Sequence, residues 1–319
     1  MNQILENPFC FSDTNKRYHT FSYAMKKKYG KKLAKIPLNA GFTCPNRDGT
    51  KSYGGCRFCS SQGSGDTILC AQEDLKTQYE TNLARARNKW PEAIGMAYFQ
   101  SFSNTYAPLK DLQAIYTPFY ENPNVAAIAI ATRTDCFNEE MAKWFASMQD
   151  KYNKQTWFEF GVQSIHPATA KAMNFAHTPQ EAKTVVDLCH QYGLASCLHL
   201  INGLPGESHA DMMETAKFAA SLHPDAVKIH MLHLLENSAL GQDYHQAPFA
   251  LLSQDEYVQI VCDQLEILPP EIIIERVTGD GLASDLIAPL WTIKKTVTAN
   301  EIDKTLLARN SWQGKKISS

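Results

Sequence analysis

The chain has 319 residues, 44% of them hydrophobic and 20% charged, with a formal net charge of −2. That is a globular composition with enough apolar material for a sizeable core. It excludes recognition of a polyanion by bulk charge, so any nucleic-acid contact must come from a local basic patch. Nine cysteines in a chain this long do not make a disulfide framework. No apolar run reaches about 18 residues, the length that spans a bilayer. Residues 1–20 lack the charged start and apolar core of a secretory signal. A reducing, cytoplasmic setting is expected.

Residues 1–35 read as a basic N-terminal extension. Lys16, Arg17, Lys26, Lys27, Lys28, Lys31, Lys32 and Lys35 are interleaved with Tyr18, Phe21, Tyr23 and Tyr29. The pattern fits an amphipathic helix with a solvated basic face. It also fits an RNA-facing patch, where cations meet phosphates and aromatics meet bases.

From residue 36 the pattern alternates. Short apolar, β-rich runs at 36–43, 96–102, 125–132, 156–163, 195–201, 226–232 and 272–277 predict strands. Segments at 73–88, 109–120, 139–152, 179–192, 210–222 and 253–268 keep one polar side and predict helices. Strands that are apolar nearly throughout are covered on both faces. Strict succession of strand and helix implies right-handed βαβ units in a parallel sheet. Five or six such units are too few for an eight-stranded barrel. The expected fold is α/β, a partial (β/α)6 barrel over 36–280, with a C-terminal appendage over 281–319. Its ligand site belongs at the carboxyl ends of the strands.

One loop there carries Cys44, Cys56 and Cys59, in the run GFTCPNRDGTKSYGGCRFC. Thiolates are soft ligands that suit iron–sulfur clusters and zinc. The loop is rich in Gly, Pro, Asn and Asp, so it can wrap a compact inorganic object. Three ligands leave an iron–sulfur cubane with one open iron, much as a catalytic zinc keeps an open position. A zinc site completed by His19, His166 or another side chain is the competing reading. Cys10, Cys70, Cys136, Cys189, Cys197 and Cys262 lack cluster spacing and are expected mostly as small buried hydrophobes.

This run resembles the YhcC/YtqA group of radical S-adenosylmethionine (SAM) proteins, relatives of the Elongator catalytic subunit. KRYHTFSYAMKKKYGKKLAKIPL, GSGD, YFQSFSNTYAP, ATRTDC, WFEFGVQS, HLINGLPGES and VKIHMLHLLENS extend the resemblance over nearly the whole chain. It implies a [4Fe–4S] cluster on the three cysteines. SAM chelates the open iron and is cleaved reductively, with electrons from a low-potential donor such as flavodoxin or ferredoxin. It implies a tRNA substrate too, with the YtqA-like branch converting the carboxymethylaminomethyl group of wobble uridine to aminomethyl. The chain ends about 40 residues after the barrel, so the acetyltransferase domain of the Elongator relative is not expected. Lys294, Lys295, Arg309, Lys315 and Lys316 are expected to help the N-terminal extension hold RNA.

The same resemblance sets Phe58 against the adenine of SAM, and gives Gln100, Ser101 and Asn104 contacts to its ammonium and carboxylate. Other positions are read from their strands. Arg133 and Asp135 end the third strand, where a cation holds either a ligand carboxylate or a structural salt bridge. Glu159 and Gln163 lie four apart on the fourth strand, on one face of it, with Ser164 following. An acid among apolar neighbours favours a functional role. Gly203 permits close backbone approach to a flat ligand, and Glu207 and Ser208 fit a helix cap. His199, Lys228 and His230 alternate on strands five and six and face SAM, substrate or plain packing. A small metabolite or protein substrate, and a metal-stabilised RNA-binding module, are the competing functions. No catalytic acid or base is named by the sequence.

Overall fold

The computed structural model describes residues 7–63, 68, 72–279, 281 and 283–317. Cys70 and most of the GSGD segment lie outside them. In chain order the elements are α1 (Phe21–Tyr29), β1 (Leu33–Leu38), α2 (Leu75–Lys89), β2 (Ile94–Phe99), α3 (Leu109–Glu121), β3 (Val125–Arg133), α4 (Glu139–Tyr152) and β4 (Gln155–Gln163). Then follow α5 (Pro167–Ala172), α6 (Pro179–Gln191), β5 (Ala195–Asn202), α7 (His209–Ser221), β6 (Ala226–Met231) and β7 (Leu234–Leu235). The last are α8 (Ala239–Gln246), α9 (Gln254–Ile267), β8 (Ile273–Arg276), β9 (Leu286–Ala288) and α10 (Lys295–Ala308).

Among the described residues one seven-stranded sheet has the order β1-β2-β3-β4-β5-β6-β8, and β7 pairs separately with β9. The pairs β1–β2, β2–β3, β3–β4 and β6–β8 are parallel. Strands added in sequence order with helical crossovers define an incompletely closed β/α barrel. The expected six strands gain β8 as a seventh, at the edge beside β6. All seven apolar runs predicted from sequence become strands of this sheet.

One strand is displaced from its expected place. β1 occupies Leu33–Leu38 rather than 36–43. It stops because Asn39 turns the chain: its Oδ1 accepts from Gly41 N at 3.0 Å, while its own N–H goes to Gln78 Oε1 at 2.8 Å. Side-chain bonds of this kind divert backbone groups from the ladder. The cysteine loop therefore starts close to the strand end.

The chain falls into two compact units. The first comprises Met25–Val162 and Ala170–Leu198. Its helices pack on the strands through aromatic edges: Phe99 meets Tyr116 at 4.7 Å and Phe119 at 5.0 Å, and Phe145 meets Phe158 at 5.0 Å. These contacts are T-shaped, the arrangement that aromatic quadrupoles favour. Capping side chains start the helices. Asn138 accepts from Met141 N in α4, and Thr178 and Glu181 form a capping box in α6.

The second unit comprises residues up to Ala24, Gln163–Thr169 and the chain from His199 on. In it the N-terminal segment packs on the C-terminal one. Lys16 pairs with Asp303, and Gln313 N donates to Arg17 O at 2.9 Å. The buried Gln313 side chain accepts from His19 N and donates to Pro269 O and Ile272 O. Arg17, Tyr18 and His19 are buried.

This corrects the reading of 16–35 as one basic face. Lys26, Lys27, Lys28 and Lys31 are exposed, but Lys16, Arg17 and Lys35 serve internal contacts. The C-terminal basic residues divide likewise. Arg309 pairs with Asp263 at 2.8 Å, and Lys316 pairs with the buried Glu266.

Candidate metal and cofactor site

In the first unit, residues 41–63 form a compact loop of turns. Cys44 O accepts from Arg47 N (2.8 Å) and Asp48 N (3.3 Å); Pro45 O accepts from Lys51 N (2.9 Å) and Ser52 N (3.3 Å); Cys56 O accepts from Cys59 N (2.9 Å). The Pro-Asn-Arg-Asp-Gly stretch thus folds back on itself and returns the chain to Cys56. Gly49 has φ +89°, and an added Cβ would sit 2.6 Å from the Tyr53 ring. Only glycine suits both the turn and the ring.

Two asparagines hold the loop. Asn46 is fully buried, and its Nδ2 donates to Asn174 O at 2.6 Å and reaches Cys56 Sγ at 3.6 Å. Asn174, in the left-handed conformation with φ 54°, accepts from Ser52 Oγ at 2.8 Å. It donates to Tyr53 O at 3.0 Å and Gly55 O at 2.9 Å. Arg57 N reaches Met173 O at 3.0 Å. A segment over 100 residues downstream therefore shapes the cysteine loop. The Asn46 signal lay inside the motif; Asn174 gave none, because its role exists only across the fold.

The three thiols are neighbours. Burial pushes the Cys56 thiol up to about 12, with Cys59 and Cys44 adding to the rise and Arg133 opposing it. The described side chains that bring ligand atoms within 4.8 Å of one another are His166, Asp211 and Glu214. The donor set is soft and sits on one loop, which suits an iron–sulfur cluster as well as zinc. Of the histidines offered as zinc ligands, His19 Nδ1 bonds Glu271 O at 3.1 Å and His166 Nε2 bonds Asp211 O at 2.9 Å.

The segment after β2 is stitched to both ends of this loop. Ser103 N donates to Thr43 O at 3.2 Å, and Phe102 N to Gly63 O at 3.1 Å. Ser101 is fully buried, and its Oγ has no hydrogen-bond partner in the structure. A buried hydroxyl without a partner is what a polar ligand group would satisfy. Gln100 is half-buried beside it. Asn104 is fully buried, and its Nδ2 holds Ser101 O and Ala131 O at 2.9 Å each, so it braces the turn, while its Oδ1 has no hydrogen-bond partner.

Arg133 grips Asp135 with two bonds of 2.8 Å, and Asp135 also takes Lys51 at 2.8 Å. The structural salt bridge weighed from sequence is present, and it ties the β3 end to the cysteine loop. Burial works to raise the Asp135 carboxyl, but the bonds and charges of Arg133 and Lys51 overcome it and hold the group well below the carboxylate range. Cys136 bonds Asp135 Oδ1 at 3.7 Å, and burial together with that acid pushes its thiol up to about 12.

Phe58 is half-buried, edge-on to Phe175 at 6.4 Å; Phe175 in turn stacks on His177 at 4.8 Å. Glu159 is buried and salt-bridged to Lys35, whose ammonium also lies 5.0 Å from the Tyr98 ring centre. Lys35 sits on β1 and Glu159 on β4, so a strand residue assigned to the basic extension serves the acid instead.

Other expected residues gather in the second unit. Gln163 takes φ 63°. Ser164 bonds Glu207, whose carboxyl is raised by burial despite that bond. Ser208, rather than Glu207, caps α7, in a box with Asp211. Gly203 has φ +88°, with an added Cβ 3.1 Å from Leu252. His199 and His230 rings lie 5.4 Å apart, and Lys228 pairs with Glu275 at 3.1 Å. Cys189, Cys197 and Cys262 are buried as expected, whereas Cys10 is exposed; no disulfide joins the described cysteines.

A parallel sheet built in sequence order, with a three-thiol loop after its first strand, defines a class. Residues 43–219 match the radical SAM superfamily and 224–308 match the radical SAM C-terminal domain. The chain belongs to the radical SAM superfamily and is an enzyme of that type; a [4Fe–4S] cluster and SAM are the cofactors of the family. It is 42% identical to YtqA of Bacillus subtilis (strain 168) over 309 residues, covering 97% of this chain and 95% of that one. It is 24% identical to the tRNA uridine(34) acetyltransferase of Methanocaldococcus infernus over 164 residues, 50% of this chain and 30% of that one. The solved structure of Methanocaldococcus infernus Elp3 shares the fold, with a TM-score of 0.65 at 16% identity. The match covers 88% of this chain and 64% of that one. Among the described residues no helix is long and apolar enough to cross a membrane.

Proposed function

We propose that Cys44, Cys56 and Cys59 hold the [4Fe–4S] cluster, and that the enzyme acts on the 5-substituent of tRNA wobble uridine, taking carboxymethylaminomethyl to aminomethyl. When bound, the cluster and SAM supply the radical chemistry, and the protein supplies orientation and exclusion of water. The observation that carries the cofactor assignment is the donor set: three neighbouring, half-buried thiols on one loop braced by Asn46 and Asn174.

Phe58, Gln100, Ser101, Glu159, Gln163, Ser164 and Gly203 are the proposed SAM contacts; His199 and Lys228, which their strands allow to face SAM or substrate, are taken up below. Arg133 keeps its grip on Asp135 and acts on the site through its charge, which faces Cys44 and Cys56. The tRNA assignment rests on the YtqA-like resemblance and on the partial likeness to a tRNA uridine(34) acetyltransferase. The exposed Lys26, Lys27, Lys28 and Lys31 offer phosphate contacts. A low-potential donor of the flavodoxin or ferredoxin kind, in a reducing cytoplasm, completes the reading.

Anaerobic purification with iron and sulfide counting, then 5′-deoxyadenosine formation with and without tRNA, tests both parts. Stimulation by tRNA and loss of the carboxymethyl group in nucleoside analysis are the expected results. An unchanged wobble uridine in a deletion strain would sink the tRNA reading. A small-molecule substrate is favoured instead if tRNA binding shows no steep salt dependence, since so many of the basic residues here are used internally.

A further inference from the structure

The second unit holds a concentration of basic side chains on and just after β5, β6 and β8. His199 and His230 lie with ring centres 5.4 Å apart. Lys228 and His230 are two apart on β6 and share a face. Lys228 lies on the same rung as Arg276 of β8, where a shift in register inserts Glu275, and Glu275 takes the Lys228 ammonium at 3.1 Å. His233, just past β6, is packed against Gly279 and Gly281. A Cβ on either would stand 2.5 Å or 3.0 Å from the imidazole, so the loop is shaped to admit that ring.

Two observations say what this arrangement awaits. His230 Nε2 is buried and has no hydrogen-bond partner in the structure. Burial holds the His230 imidazole well below its ordinary value, and His199, Arg276, Lys228 and His233 all push it the same way. A neutral imidazole with its proton on Nε2 can donate to an anion, and the Arg276 charge attracts one.

We propose that His199, His230, His233 and Arg276, with the Lys228–Glu275 pair behind them, form a receptor for a carboxylate on the substrate's reacting side chain. This rests on the reading above, in which that side chain ends in a carboxymethyl group. The planar guanidinium of Arg276 suits a carboxylate, which accepts two parallel bonds from it, and His230 Nε2 gives a third polar contact. Glu275 fixes Lys228 as background charge rather than as a contact.

The test uses the full, cluster-loaded protein with isotope-labelled histidine, titrated with acetate and with neutral acetamide. The expected result is saturable shifts of the His199, His230 and His233 signals with acetate alone. His230→Gln and Arg276→Gln should weaken them about tenfold or more, the worth of one charge-assisted hydrogen bond. Arg276→Lys, which keeps the charge and the fold but loses the fork, should lie between. An equal response to acetamide, or variants that bind acetate as the parent does, would overturn the receptor. So would displacement of acetate by SAM with weaker SAM binding in the variants, which would assign the cluster to the cofactor. Nucleoside analysis of tRNA treated with the same preparation separates the two proposals. Acetate binding with unmodified tRNA overturns the wobble-uridine reading and leaves the receptor standing.

Discussion

Buried ionisable and polar side chains do most to specify this site. Glu159 is in the interior with Lys35 against it. Removing one partner from such a pair leaves a desolvated charge, so Lys35→Met should destabilise by about 3–5 kcal/mol, read as a lower urea midpoint. Replacing both with Lys35→Met and Glu159→Leu should recover most of that loss. At the cysteine loop, Asn174 makes three side-chain bonds. Asn174→Ala should cost about 1–3 kcal/mol and lower the iron retained per chain after anaerobic reconstitution, because unmade bonds at Tyr53 O and Gly55 O release the turn before Cys56.

At the scale of elements, the strands were legible because strands covered on both faces leave long apolar runs. Helix starts were legible where a capping residue precedes a periodic segment. Ser253 and Glu256 box the start of α9, a helix buried along much of its length. Ser253→Ala should cost about 1 kcal/mol of stability by chemical denaturation, with the fold unchanged. β1 starts three residues ahead of its apolar run, since its register with β2, Leu33 against Ile94, is a property of the pair. Its end was hidden for a similar reason: Asn39 finds Gln78 of α2 only once the two elements are packed.

For the whole molecule, acid stability is set by ties between distant segments. Asp135 joins β3 to the cysteine loop through Lys51. Its folded carboxyl lies below the ordinary value of about 3.9, so the tie stabilises fully above that value and is lost as pH falls through the folded one. Melting temperature against pH should therefore fall less steeply below about pH 4 in Asp135→Asn than in the parent, from a lower plateau at neutral pH. Charge on the surface acts at the same scale. If the exposed lysines of α1 and of the bend after it meet tRNA phosphates, Lys27→Gln with Lys31→Gln should flatten the log–log salt slope of tRNA binding by about 2.

The sequence by itself determined the order of strands and helices, the parallel sheet and the loop that carries Cys44, Cys56 and Cys59. Each of these is written in local periodicity, in turn residues or in the spacing of one short motif. Only the tertiary structure decided which basic residues face water, that Lys35 answers Glu159, that Asn174 shapes the cysteine loop, and that His233 and Arg276 join His199, Lys228 and His230. Those facts depend on side chains tens to hundreds of residues apart meeting in a low-dielectric interior, where charge must find a partner and a hydrogen-bonding group must find its complement. No local pattern records such a meeting, because the partner is chosen by the fold and not by the neighbours in the chain.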